Sequence, residues 1–205
     1  MAADNQENEV KFYLADPKGF EERLKMRGAT LTHTRVFETN LRFDLPTGEL
    51  TAAHRVLRLR KDDRAHLTYK GPVQAGQPVS SRKEIELVVS DFDQARMLLE
   101  SLGYGVSVMY EKWRSTYKIG LMEIDLDELP FGNFCELEGP NAESIQLMAT
   151  SLKLGWDKRI MESYLALFDK VRIAKELKVK NLTFDEFKVY PLNAQDLGVI
   201  PADQA

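Results

Sequence analysis

The 205-residue chain has a single cysteine and three histidines. Cys135 cannot close an intramolecular disulfide, and His33, His54 and His66 are too scattered to build a zinc site with it. No apolar run approaches the ~20 residues that a bilayer-spanning helix needs, so no membrane association is expected. An overall basic charge is also missing. Lys and Arg number 28 against 32 Asp and Glu, a net −4. That argues against a general nucleic-acid binder, and no DNA partner is expected, although a locally basic cavity stays open. The first residues, MAADNQENE, are acidic and polar and fit neither a signal nor a transit peptide. A cytoplasmic location is therefore expected. There is no internal repeat and no low-complexity tract. Hydrophobic content of 43% suffices for an ordinary core, and the length fits one domain with a terminal appendage.

What the chain does have is charge at every second position. Glu7-x-Glu9-x-Lys11, Arg58-x-Arg60, Arg82-x-Glu84-x-Glu86, Lys112-x-Arg114, Glu123-x-Asp125-x-Asp127 and Glu136-x-Glu138 follow one another, with Val10, Leu57, Leu59, Ile85, Leu87, Ile124, Leu126 and Leu137 between them. Successive side chains of a strand point to opposite faces. Each of these strands thus carries one apolar face and one face of mixed acid and base.

Strands are expected at 7–14, 31–44, 55–61, 65–70, 81–89 and about 106–118, 121–127 and 133–138. Asp16-Pro17 starts a helix that Gly28 stops, and Ser90-Asp91 caps another running to about Leu102. Helices of about 142–153 and 161–177 follow. Residues 1–177 read as the main domain. Residues 178–205 read as a C-terminal extension without strong periodicity, expected to be partly mobile. Strands this close in sequence suggest antiparallel pairing. The expected fold is α+β: a closed eight-stranded antiparallel β-barrel with flanking helices, apolar faces outward under the helices and charged faces inward.

Buried like charges need pairing or a bound counter-charge. Lys11, Arg58, Arg60, Lys70, Arg82, Lys112 and Arg114 fall on the inner faces and suit an oligoanion, Arg as a forked donor to phosphate and Lys as a point charge. Glu7, Glu9, Glu84, Glu86, Asp125, Asp127, Glu136 and Glu138 suit a hard cation, Mg²⁺ or Mn²⁺. Phosphate, metal and carboxylate together are the components of phosphoryl transfer.

The ordered set Glu7-x-Glu9-x-Lys11, Val56–Arg60, Tyr69-Lys70-Gly71-Pro72, Arg82–Glu86, Lys112-Trp113-Arg114, Ile124–Asp127 and Gly132–Gly139 resembles the CYTH family, the triphosphate tunnel metalloenzymes, over about residues 5–170. The resemblance implies an eight-stranded tunnel that binds a small-molecule triphosphate with Mg²⁺ or Mn²⁺. It implies metal binding at Glu7, Glu9, Asp125 or Asp127, Glu136 and Glu138, with Glu84 and Glu86 as further candidates. It assigns triphosphate binding to Lys11, Arg58, Arg60, Lys70, Lys112 and Arg114, joined by Arg82 from the inward-face reading, and leaving-group neutralisation to Lys11 or Lys70. Relatives hydrolyse triphosphates or, as class IV adenylyl cyclases, cyclise ATP, and many are dimers, so a homodimer is a possible assembly.

Two departures bear on the choice. Class IV cyclases of the best-known type carry a His-Phe pair before the first acidic motif, where this chain has Ala3-Asp4-Asn5-Gln6. Glu162 stands before Ser163-Tyr164, where hydrolases often have a basic residue. A metal-dependent triphosphatase is the primary expectation, a class IV adenylyl cyclase the alternative, and a non-catalytic polyphosphate or nucleotide binder the third.

Blander readings weigh on single residues. Asp127 could begin a turn, Glu123 could be rim, and His66 could be structural. Trp113 and Tyr117 are expected to contact covering helices, Cys135 to be a small outward-facing residue, and the stripe Leu165, Phe168, Val171 and Ile173 to be packing.

Overall fold

The structure, a computed structural model, describes residues 5–204. Ala3 and Asp4, part of the stretch compared with the His-Phe pair, lie outside the described residues. In chain order the elements are β1 (Gln6–Leu14), α1 (Pro17–Met26), β2 (Thr30–Asp44), α2 (Glu49–Ala52), β3 (Val56–Lys61), β4 (Ala65–Lys70) and β5 (Ser80–Val89). Then come α3 (Phe92–Ser101), β6 (Gly105–Ile119), β7 (Met122–Leu129), β8 (Gly132–Glu138), α4 (Ala142–Ser151), α5 (Tyr164–Ala174) and α6 (Phe184–Phe187).

The helix starts expected at Asp16 and Asp91 are present, and Asn141 and Ser163 cap α4 and α5 in the same way. Asp16, Asp91, Asn141 and Ser163 each accept a hydrogen bond from a backbone N–H of the first turn. Just past α1, Gly28 has φ 78°, in the left-handed region that glycine adopts without a Cβ clash. The one-turn α2 was not expected. Asp44 holds it by accepting from the N–H groups of Leu50 and Thr51 and from the Thr51 hydroxyl.

All eight strands are antiparallel, in the order β1-β5-β4-β3-β2-β6-β7-β8. β8 returns to β1 through Val10 opposite Leu137 and Lys11 opposite Glu136, so the ring of hydrogen-bonded strands closes. Closure separates two surfaces.

The outer surface is apolar and covered in three places. Under α1 and α4, Val10, Phe12, Ile124, Cys135 and Leu137 pack with Phe20, Leu24, Ile145 and Ala149. Cys135 is fully buried there, as expected for an outward-facing small residue. Under α5 and α6, Phe131 and Phe134 pack with Leu167, Phe168 and Phe187. Under α3, Leu41, Phe43 and Leu59 pack with Leu99. Of the stripe expected on α5, Val171 is buried but Ile173 is 70% exposed, because two positions along a helix of 3.6 residues per turn place Ile173 on the face away from Val171. No helix among the described residues is long and apolar enough to cross a membrane.

The extension after residue 177, expected to be partly mobile, is laid onto the barrel. Leu182 pairs with β6, donating to the Met109 carbonyl and accepting from Glu111 N–H, both at 2.9 Å. Further on, Ala202 donates to the Tyr13 carbonyl, and Asp203 accepts from the N–H groups of Ala15 and Asp16. Leu182, Phe187, Leu197 and Ala202 are buried. These anchors are separate points spaced without helical or strand period, so pattern reading could not find them.

Leu182 is fully buried and Ile200 is 62% exposed. Denaturant unfolding should show Leu182→Ala losing about 2–5 kcal/mol and Ile200→Ala staying within about 0.5 kcal/mol of the wild type. Equal effects would mean that the extension does not dock through Leu182.

Candidate functional site

The inward faces enclose a cavity of about 950 Å³. Every basic residue read from the alternation lines it: Lys11, Arg58, Arg60, Lys70, Arg82, Lys112 and Arg114. So do the acids Glu7, Glu9, Glu84, Glu86, Asp125, Glu136 and Glu138, and Glu123 at the rim. Asp127 does not line the cavity. It lies within β7 rather than in a turn and is 1% exposed. Its carboxylate accepts from Arg114, from Lys112 at 2.9 Å and from the Tyr164 hydroxyl at 2.9 Å.

Strand register explains who meets whom. Lys70 is opposite Glu84, and Glu7 is opposite Arg82. The Lys70 ammonium accordingly sits 2.6 Å from Glu7 and 2.9 Å from Glu84. Lys11 bridges Glu9 at 2.8 Å and Glu136 at 3.0 Å. Arg114 is the hub: it reaches Asp125 at 2.6 Å and Asp127 and Glu136 at 2.5 Å each. Arg58 and Arg60 share Glu86, at 3.5 and 3.4 Å.

Three acids show the balance of forces. Burial would raise the Glu38 pKa, but Lys112, Arg114, Arg60 and Arg58 outweigh it and hold the carboxyl at about 2. Asp125 touches Arg114 and accepts from the Thr116 hydroxyl at 2.6 Å, yet burial and the neighbouring Asp127 and Glu136 push it up to about 7. One guanidinium shared among several carboxylates cannot neutralise them all. Glu138 is pushed up to about 8 by burial and then by Glu7, Glu123, Glu9 and Glu84; the groups acting on it most are all carboxylates.

The bases are unbalanced elsewhere. The Nε atoms of Arg42 and Arg58 are buried and have no hydrogen-bond partner. These two arginines are directly opposite each other on β2 and β3. Burial, and then repulsion from Arg58 and Arg82, lowers the Arg42 pKa despite the nearby Tyr110 and Asp44. Such a pair of under-satisfied guanidinium groups is built to accept an anion.

The register also gives the cavity two different openings. Glu123 opposite Glu138, and Glu138 opposite Glu9, mark an acidic end. Arg42 opposite Val108 lies toward the other end, near where β2 leads into α2. The acids supply only oxygen donors, the chemistry that hard divalent cations take. Among the described residues, however, no three of them converge as a ready-made metal cage; their side chains turn instead to Lys11, Lys70, Arg82 and Arg114.

Sequence reading missed the inner face of β2, where Glu38, Asn40 and Arg42 alternate, and two tyrosines. Tyr110 accepts from Arg58 at 3.4 Å, and Tyr164 reaches in from α5 with its ring 5.4 Å from the Lys11 ammonium. The Glu38-x-Asn40-x-Arg42 spacing was a usable signal. His66 binds Glu86 at 3.0 Å and is outside the cavity lining, a structural role. Tyr117 donates to Glu21 on α1, while Trp113 lies under the Arg35 guanidinium and packs at a tilt against Phe37, which in turn reaches Phe184 of α6.

The Glu38 result has a consequence for stability. Its folded pKa lies below its ordinary value of 4.5, so its stabilisation is present above pH 4.5 and lost as pH falls toward 2. Comparing unfolding of the wild type and Glu38→Gln across that window should show a shallower loss in the variant. Parallel curves would mean that Glu38 is not held by those bases.

Comparison with known proteins agrees with this geometry. The model of the CYTH domain matches residues 5–155. A Methanocaldococcus jannaschii protein provisionally named an adenylate cyclase is 27% identical over 172 residues, covering 78% of this chain and 97% of its own. A Vibrio parahaemolyticus structure with the same provisional name is 24% identical with a TM-score of 0.72, covering 80% of this chain and 97% of the other. A Hippeastrum protein, described as a provisional adenylyl cyclase with a dominant triphosphatase activity, superposes with a TM-score of 0.59 at 18% identity, over 80% of this chain and 95% of its own. With its closed antiparallel ring, its charged interior and this match over most of its length, the chain belongs to the CYTH domain family.

Proposed function

We propose that the protein is a divalent-metal-dependent phosphohydrolase acting on a small triphosphate, either inorganic tripolyphosphate or an organic triphosphate. The observation that carries this reading is the pair of buried, unpartnered guanidinium nitrogens of Arg42 and Arg58 in a wall that faces carboxylates across one cavity. A polyanion satisfies the first set and a cation the second, and a metal–triphosphate complex brings both.

In this reading Arg42, Arg58, Arg60, Lys70, Arg82, Lys112 and Arg114 grip the phosphate oxygens. All of them except Arg42 are held beforehand by carboxylate partners, so little side-chain freedom is lost on binding. Lys11 stays charged: burial opposes this, but Glu136 and Glu9 raise its pKa. It can therefore neutralise the departing phosphate, as can Lys70. Asp127 acts as the anchor that aims Arg114, Lys112 and Tyr164. Glu7, Glu9, Asp125, Glu136 and Glu138 would hold Mg²⁺ or Mn²⁺, with Glu84 and Glu86 nearby. Bound there, the ion supplies charge neutralisation and a more acidic water. Water attacks the terminal phosphorus as the bond to the bridging oxygen breaks, releasing orthophosphate and either pyrophosphate from tripolyphosphate or the diphosphate of an organic substrate.

A second reading, ATP cyclisation, is favoured by the provisional names of the Methanocaldococcus and Vibrio relatives. The activity described for the Hippeastrum protein favours hydrolysis. A phosphorus NMR time course with tripolyphosphate and ATP, in Mg²⁺ and then Mn²⁺, separates them. Orthophosphate and pyrophosphate from tripolyphosphate are expected. Cyclic AMP and pyrophosphate from ATP would establish the cyclase instead, and no change in either substrate would leave a binding module.

Two substitutions test the residue roles. Glu9→Gln should abolish metal-dependent turnover with the fold retained in circular dichroism; surviving activity would remove Glu9 from the metal set. Arg58→Ala should raise KM by about 10- to 150-fold, as expected for losing a charge-assisted contact worth ~1.5–3 kcal/mol. An unchanged KM would place the phosphates elsewhere.

A further inference from the structure

The opening away from the acidic end is finished by residues that follow the segment matched by the family model. Because Asn181 and Leu182 dock on β6 at Met109 and Glu111, the preceding Val179 and Lys180 are carried to the cavity mouth. There they meet Val108, and Phe168 and Arg172 of α5, with Arg55 also lining this cavity. Val179 is buried and seats the segment, while Lys180 is exposed. The carboxylate on α5 at this mouth, Asp169, is already paired with Arg172 at 3.3 Å. Lys180 makes its hydrogen bond to Glu186 through its backbone N–H, and no ion pair among the described residues involves its ammonium.

We infer that Lys180, set by the docked extension, is a specificity-determining residue that favours substrates whose phosphate chain continues beyond three units. Resting on the triphosphate reading, this adds a second, basic stretch outside the arginine wall. Arg172 and Asp169 offset each other, which leaves Arg55 and Lys180 as the cations of this mouth; a neutral organic group gains little from them, whereas each further phosphate brings a charge.

The test is calorimetric titration of the full chain in chelator, so that nothing turns over, with linear tripolyphosphate and linear hexapolyphosphate. The quantity read is the ratio of the two dissociation constants, which cancels the extra binding registers of the longer chain when variants are compared. Lys180→Ala should lower the preference for the longer chain by about threefold, and Lys180→Glu by more. Lys178→Ala, which removes an exposed charge that does not line the cavity, should leave the ratio where it was. A ratio unmoved by Lys180→Glu, or moved as much by Lys178→Ala, overturns the inference while leaving the triphosphate reading standing. A wild type that binds neither anion in chelator, and again neither when Ca²⁺ replaces the chelator, overturns both.

Discussion

Charge compensation inside a closed ring is the constraint on which this structure depends. Taking a carboxylate or guanidinium out of water costs several kcal/mol even after relaxation, and a single partner seldom recovers it. Here the recovery is collective. Arg114 touches Asp125, Asp127 and Glu136, Lys11 spans Glu9 and Glu136, and Lys70 spans Glu7 and Glu84. Some neighbouring strands supply opposite charges at matching register, as Lys70 with Glu84, Lys11 with Glu136 and Glu7 with Arg82, whereas Arg42 with Arg58 and Glu123 with Glu138 meet as like charges. An apolar filling would stabilise such a barrel at least as well, because buried ion pairs are roughly neutral against well-packed hydrophobic residues. Stability therefore does not explain the charged interior, and the places where compensation fails point to what does. It fails at Arg42 and Arg58, where base exceeds acid, and at Glu138, where acid exceeds base.

The polar interior also dictates the outside. A strand with one face committed to charge has only its other face to bury, and that face has to be covered by something beyond the barrel. Helices α1, α3, α4 and α5 each take one sector, and the extension closes the strip beside the first half of β6. β7 pairs with β6 only from Trp113 onward, which leaves Met109 and Glu111 with free backbone groups on that side. Leu182 supplies their partners. An unpaired buried backbone group is expensive, so the docking answers a need created by the ladder itself.

How much of this could be read in the residues follows from the same physics. Strands with short, uninterrupted alternation, such as β1, β3, β5 and β8, announced both their faces, and their cavity-lining side chains were named correctly from spacing. β2 did not. It carries register shifts between Leu31, His33 and Val36, and an extra residue flips the apparent face of everything beyond it. Its inner triplet also mixes an acid, an amide and a base, which hid Arg42 among ordinary polar residues. Asp127 shows the opposite failure: correct alternation placed it inward, but depth decided that it holds other side chains instead of facing the cavity. Tyr164 and the docked extension were out of reach because their contacts join segments far apart in sequence, and no local period encodes them.

Two ends of opposite polarity give the cavity a direction. A metal–triphosphate complex is itself a dipole of this kind, and only one orientation places its phosphates along the arginines and its cation among the acids. In the reading proposed above, that orientation decides which phosphorus lies beside the carboxylates. Hydrolysis requires the terminal phosphorus there, with the rest of the substrate directed toward Val108 and α5. Cyclisation requires the α-phosphorus near its own ribose and the chain reversed. The chemistry separating the two outcomes is thus small next to the electrostatics they share. Residues at the mouths, rather than the conspicuous doublets within, are where members of one architecture have room to differ.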